Sequence, residues 1–305
     1  NQDLTGLVAG TYDVVVTDAN NCQETFQHTI LQPDDLTVIQ DPENASTTIL
    51  DCYQDNDGVI NINVDGGTVD YTYQWSTADG EIPTGQENNQ DLTGLVAGTY
   101  DVVVTDANDC QETFQHIITE PTGMELTLDE ASFTELLCFE NSDGTLNTNV
   151  SGGTPNENGE YNYTWTTTDG EIPTGQENNP NLTGLIAGEY TVVVADESGC
   201  DVTDTYTIEE PDDLTVIQDP ENESTQILDC YLDSDGVINI TVDGGTQDYT
   251  YQWTTADGEI PTGQENNQDL TGLVAGTYDV VVTDANNCQE TFQHTILQPD
   301  DLTVI

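Results

Sequence analysis

The chain is 305 residues long and carries 59 Asp and Glu against no Lys or Arg, a formal charge of −59. Without basic side chains this segment cannot track phosphates or lie on an anionic membrane, which excludes nucleic-acid and membrane contact, and it lacks the usual cationic clamps on carboxylate or phosphate substrates. The composition points to a scaffold or binding surface rather than an enzyme.

Three readings of the missing cations stand side by side. Calcium, which takes clustered oxygen ligands, could bridge the carboxylates. Proteases that cut after Lys or Arg would find no site. A solvated acidic coat would keep molecules soluble and apart.

In chain order, GTYDVVVTDANNC comes first, and near-copies of it end at Cys22, Cys110, Cys200 and Cys288, which lie 88, 90 and 88 residues apart. Residues 1–39 return letter for letter as 267–305. The chain is therefore a tandem array. Prolines at Pro33, Pro121, Pro211 and Pro299 separate strand-like runs and mark short, stiff linkers. The expected division is the C-terminal part of a repeat over 1–33, complete repeats over 34–121, 122–211 and 212–299, and the start of another over 300–305. On this division the chain is an excerpt whose export and anchoring segments lie elsewhere.

Within a repeat the apolar period is that of strands. Ile60, Ile62 and Val64 are expected to face inward between Asn61 and Asn63. Tyr71, Tyr73 and Trp75 share a face, as do Tyr100, Val102 and Val104. A Trp on a middle strand followed by L-x-x-G-x-Y opening a late strand, as Trp75, Trp165 and Trp253 pair with Tyr100, Tyr190 and Tyr278, predicts a core Trp and a tyrosine corner. The fold class expected is all-β: immunoglobulin-like β-sandwich domains in an extended tandem array.

At these residues the chain resembles a known family. LDCYQDNDGVININVDGGTVDYTYQW followed by GLVAGTYDVVVTDANDC is similar to the SprB repeat of Bacteroidota surface proteins, through Cys52, Asp57, Gly58, Gly66, Gly67, Tyr73, Trp75, Gly98, Tyr100, Asp106 and Cys110 and their counterparts in the later repeats. The family's common Gly-Gly after the first Cys is replaced by Tyr53-Gln54, Phe139-Glu140 and Tyr231-Leu232. The resemblance implies a very long extracellular adhesin at the cell surface, of the kind exported by a type IX system and used in gliding.

Each complete repeat has two cysteines, and their recurrence favours disulfides over free thiols. Pairing within repeats would join Cys52–Cys110, Cys138–Cys200 and Cys230–Cys288. In an immunoglobulin-like strand order, however, those partners sit at opposite ends of a sandwich roughly 25–30 Å long, beyond the reach of about 7 Å between Cα atoms. Head-to-tail stacking instead favours Cys52–Cys200 and Cys138–Cys288 between repeats, leaving Cys22, Cys110 and Cys230 for repeats outside the segment. Another strand order would reverse the choice.

Acidic turns recur beside these cysteines: Asp55 and Asp57, Glu140 and Asp143, Asp233 and Asp235. They read either as hairpin turns or as half of a calcium site shared across a junction. Its other half would come from Asp196 and Glu197, or from Asp284 with Asp212 or Asp213. Calcium is the one cofactor the sequence suggests.

DGEIPTGQENN recurs unchanged from residues 79, 169 and 257. It is expected to be exposed, and Gln86, Glu87, Asn88 and Asn89 could contact a glycan or a neighbouring fibre, although gene duplication explains the identity equally well. His28, His116 and His294 are expected on the strand surface. The function expected is the shaft of a filamentous adhesin, acting by reach, stiffness and many weak contacts on an unidentified surface or glycan ligand. The alternatives are a passive stalk or surface-layer fibre, and an accessory module of a secreted polysaccharide-degrading enzyme.

Overall fold

The structure, a computed structural model, describes residues 3–303. The described residues form strands and turns without a helix, in two compact units: one runs to Met124 and includes Gly152–Thr154, and the other holds Glu125–Ser151 and the chain from Pro155 on.

In the first unit the alternation of β-branched and aromatic residues builds two two-stranded sheets that face a three-stranded one. Strand Thr37–Gln40 pairs antiparallel with Ile62–Asp65, and Gly58–Ile60 pairs with Leu92–Leu95. On the other side Thr72–Thr77, Gly98–Thr105 and Gln111–Ile118 form one antiparallel sheet with Gly98–Thr105 in the middle. Ile60, Ile62, Leu92 and Leu95 from the two strand pairs meet Trp75, Tyr100, Val102, Val104 and Ile118 from the three-stranded sheet in a single buried cluster. Burying a side chain of this size contributes roughly 1.5–3 kcal/mol, so the cluster holds the sheets face to face.

The expected continuous strand over Ile60–Val64 is interrupted at Asn61. The Ser46 hydroxyl accepts from the Asn61 N–H at 2.9 Å in place of a ladder partner and donates to the Asn61 carbonyl at 3.2 Å, which also accepts from the Asp41 N–H at 2.9 Å. Ahead of this sandwich the hairpin of Gly10–Thr17 and Gln23–Ile30 pairs over eight residues a strand.

The second unit holds two sandwiches of the same plan. In one, Glu125–Leu128, Gly144–Ser151 and Asn181–Leu185 face Asn162–Thr167, Gly188–Ala195 and Asp201–Ile208. In the other, Thr215–Gln218, Gly236–Ile238, Ile240–Asp243 and Leu270–Leu273 face Thr250–Thr255, Gly276–Thr283 and Gln289–Ile296.

The tyrosine corner is present in all three sandwiches. The hydroxyls of Tyr100, Tyr190 and Tyr278 each donate at 2.8 Å to the carbonyl four residues upstream, on Val96, Ile186 and Val274. Burial holds each of these phenols above the ordinary tyrosine value.

The segment before the second strand closes onto the last one. Ile49 bridges Thr119 in parallel, as Ile227 bridges Leu297. Here the histidine expectation is corrected: His116 and His294 are buried, and their Nε2 atoms lie 2.6 and 2.8 Å from the carbonyls of Thr47 and Thr225. The reason is alternation along the last strand, where Phe114, His116 and Ile118 share the inward face. Tyr206 takes this position in the middle sandwich and packs on Trp165.

Candidate functional site: the junction within the second unit

The turn after Gly276–Thr283 is built around one carboxylate. Asp284 is buried and accepts from the N–H groups of Asn286, Cys288 and Thr246 at 2.8–2.9 Å. Asn287 takes φ 68°, the left-handed conformation that Asn tolerates, and so the chain turns back to present Cys288. Asn286 then donates from Nδ2 to Thr246 Oγ1 at 2.9 Å and to the carbonyl of Leu137, in the neighbouring sandwich, at 3.1 Å.

Cys138 comes from that neighbour. Leu136 donates its N–H to Glu209 O at 3.1 Å, and Glu140, at φ 55°, donates its N–H to Glu210 Oε2 at 2.8 Å. The residue before each linker proline holds the corresponding turn in every sandwich: Glu120 accepts from Gln54 N–H, and Gln298 from Leu232 N–H. Gln54, Glu140 and Leu232 all have positive φ, a conformation that glycine adopts without steric cost.

Cys138 and Cys288 form a disulfide with Cα atoms 5.7 Å apart at a sequence separation of 150. It ties the start of one sandwich's second strand to the last turn of the next. Cys52 and Cys200 are also disulfide-bonded, and Cys22, Cys110 and Cys230 are free and exposed. The charge of Asp233, with Asp229 and Asp235 adding to it, holds the Cys230 thiol above the ordinary thiol value. Around the Cys138–Cys288 bond, Phe139, Pro211, Asp212, Asp213, Leu214, Gly245 and Glu290 line a cleft of about 150 Å³.

The linker lies against the Gly244-Gly245 turn, with Gly245 N–H donating to Asp212 O at 2.8 Å. Any Cβ on Gly244 would run into the Asp213 carbonyl. This close approach, together with positive φ, requires glycine there.

At the junction within the second unit the acidic residues singled out for calcium do not converge into a cage. Among the described residues no three His, Cys, Asp or Glu side chains gather as metal ligands. Asp284 spends its oxygens on backbone N–H groups, Asp143 accepts from Asn141 Nδ2 at 3.2 Å, and Asp55 accepts from Cys52 N–H at 3.2 Å. Asp196, also buried, accepts from Cys200 N–H at 2.9 Å. Asp57, Glu197, Asp212, Asp213 and Asp235 are exposed and Asp233 half-buried. The residues at the second unit's junction therefore do not fit the six to eight oxygens calcium takes.

The recurring DGEIPTGQENN loop proves to be structural in part. Trp75 Nε1–H donates to Asn89 O at 2.9 Å, and Gln86 clamps Thr93 by accepting its N–H and donating to its carbonyl. Glu87 accepts from Gly85 N–H. Trp165 with Asn179 and Trp253 with Asn267 repeat the arrangement. The side chains of Gln86 and Glu87 are thus engaged by the fold, whereas Asn88 and Asn89 are exposed.

Two-sheet sandwiches of this strand order, repeated with tyrosine corners, define a tandem immunoglobulin-like repeat protein. Residues 44–80, 131–170 and 222–258 match the SprB repeat, a repeat of cell-surface proteins, and the chain is similar to that family over these three stretches. No curated protein matches the chain. Among solved structures it is similar to the three N-terminal domains of the bacteriophage RB49 highly immunogenic outer capsid protein (16% identity, 84% of this chain and 100% of that one, TM-score 0.38). It is also similar to the titin I-band fragment I67–I69 (11%, 89% and 100%, 0.38) and to the N-terminal eight immunoglobulin domains of Down syndrome cell adhesion molecule (10%, 97% and 44%, 0.41). At these scores the likeness adds nothing to the strand pairing itself.

Proposed function

We propose that the chain is part of the shaft of a long extracellular adhesin, in which repeated sandwiches supply reach and stiffness and many weak contacts add up to attachment. The observation that carries this reading is the covalent tie between consecutive sandwiches at Cys138–Cys288. A protein whose modules acted independently would gain nothing from it, whereas a fibre under tension would. A disulfide also suits an oxidising exterior, and the absence of Lys and Arg removes the cleavage sites of trypsin-like proteases there. Export by a type IX system and a part in gliding belong to the same reading.

The internal bonding of the DGEIPTGQENN loop favours a second reading, a passive stalk presenting something beyond it. Beads coated with the full chain at graded density, washed over glass, cellulose and chitin, separate the two. Retention that climbs steeply with coating density supports adhesion. Retention equal to that of beads carrying an inert acidic protein, at every density, leaves the stalk.

A further inference from the structure

A disulfide between sandwiches changes which part of the chain feels a pull. We infer that Cys138–Cys288 is a tension shortcut: for a pull applied between Glu125 and Asp301 it takes the chain between the two cysteines out of the pulling path and makes strand Gln289–Ile296 a taut cable. The inference rests on the reading of the chain as a shaft under tension.

In a sandwich joined to its neighbours by linkers alone, a pull at the two ends loads the first strands against the last one and, once the sandwich yields, releases its whole length. The disulfide offers a shorter covalent route. Force entering the second unit near Glu125 travels to Cys138, crosses the sulfurs to Cys288, and leaves toward Pro299 along Gln289–Ile296. The sequence separation of 150 residues is bypassed, and with it Trp165, Tyr190, Trp253 and Tyr278.

The strand that remains on the route is suited to it. Its 8 residues are already in β-conformation at about 3.2–3.4 Å each, within roughly 2 Å in total of the fully stretched limit. Pulled at its own two ends it has almost no slack to give. Its ladder to Gly276–Thr283 runs in register from Gly276↔Ile296 to Thr283↔Gln289, so a neighbouring strand braces it along its whole length. The Asp284 and Asn286 contacts hold the entry turn against Leu137 and Thr246. Unfolding elsewhere in the two sandwiches would then add no reach while the bond is intact.

The chain has no lysine, so Glu125→Lys and Asp301→Lys, both at exposed positions, give two unique amine handles in the full-length protein once the N-terminal amine is blocked. Optical tweezers then read the released length directly. With the disulfide intact, only residues 125–138 and 288–301 lie between the handles, and the extension should saturate near 90 Å at about 3.5 Å per residue. Adding a dithiol reductant in the trap should release about 500 Å more, and Cys138→Ser should show the same gain without reductant.

The inference is overturned if the oxidised chain yields that gain, or if the reduced chain holds through the same force range without it, since non-covalent packing would then be sufficient. Should Cys138→Ser fail to fold, reduction of the unaltered cysteine pair still decides. Beads that fail to adhere while the extension stays locked would sink the adhesive reading and leave the shortcut standing.

Discussion

Asp106 accepts from the N–H groups of Thr68, Asn108 and Cys110 at 2.8–2.9 Å, the same arrangement that Asp284 makes in the last sandwich. The Thr68 N–H, the strongest of these donors, holds the carboxyl below the ordinary aspartate value of 3.8. A lowered folded value means that ionised Asp106 stabilises the fold above the ordinary value, and that this contribution is lost as pH falls through the folded one. Asp106→Asn should therefore melt below the unaltered chain at neutral pH, with the gap closing as pH drops beneath 3.8. A gap that stays constant to the lowest pH in calorimetry would show that shape rather than charge sets the turn. The third residue on is equally telling: Asp109 and Asn287 are left-handed, and Gly199 stands at the same place in the middle sandwich, so the D-x-x-[D/N/G]-C spacing is a turn signal.

One hairpin sequence occurs twice at the scale of elements. Gly10–Ile30 and Gly276–Ile296 pair in the same register, yet Val16 is 61% exposed in the first while Val282 is fully buried in the second. Strand pairing is therefore local, and burial comes from the facing sheet. The histidine in this hairpin reaches further: a carbonyl only accepts, so His294 Nε2 carries the proton it donates to Thr225 O, closing the leading segment onto the last strand. His294→Ala should cost on the order of 1 kcal/mol, the low end of the penalty for stranding an acceptor, because Thr225 is only half-buried. Hydrogen exchange should accelerate at the N–H groups of Leu228 and Leu297, which pair across this seam; unchanged protection there would rule out the role.

Alternation made the strands legible, and Trp75 and Tyr100 marked the core, because both signals are local in sequence. The break at Asn61 was not legible, since Ser46 fills it from another segment. Nor was the engagement of Gln86, since its partner Thr93 is seven residues away and polar loops look alike before they fold. At the junction the immunoglobulin-like strand order with head-to-tail stacking carried the argument for Cys138 with Cys288, but the recurrence of acidic residues did not reveal that backbone N–H groups already occupy Asp284.

For the whole molecule, 59 carboxylates without a Lys or Arg leave an electrostatic balance that is almost wholly repulsive. Folding draws these charges together, and unfolding relaxes them. Salt shortens the range of that repulsion, from about 30 Å at 0.01 M to about 8 Å at 0.15 M. Stability should accordingly climb steadily with NaCl, most steeply at the low end, where a protein of mixed charge has attractive pairs to lose as well. Urea midpoints across this range check the sign, and a fall with salt would mean that specific polar contacts outweigh the net charge.

Calcium chloride at matched ionic strength extends the argument to the missing cations. With the Asp284 oxygens spent on backbone N–H groups, CaCl2 should stabilise only as much as its screening and its diffuse association with carboxylates allow, rising gradually without saturation. A sharp, saturable gain at low Ca2+ would instead mean that the acidic turns rearrange into a binding site.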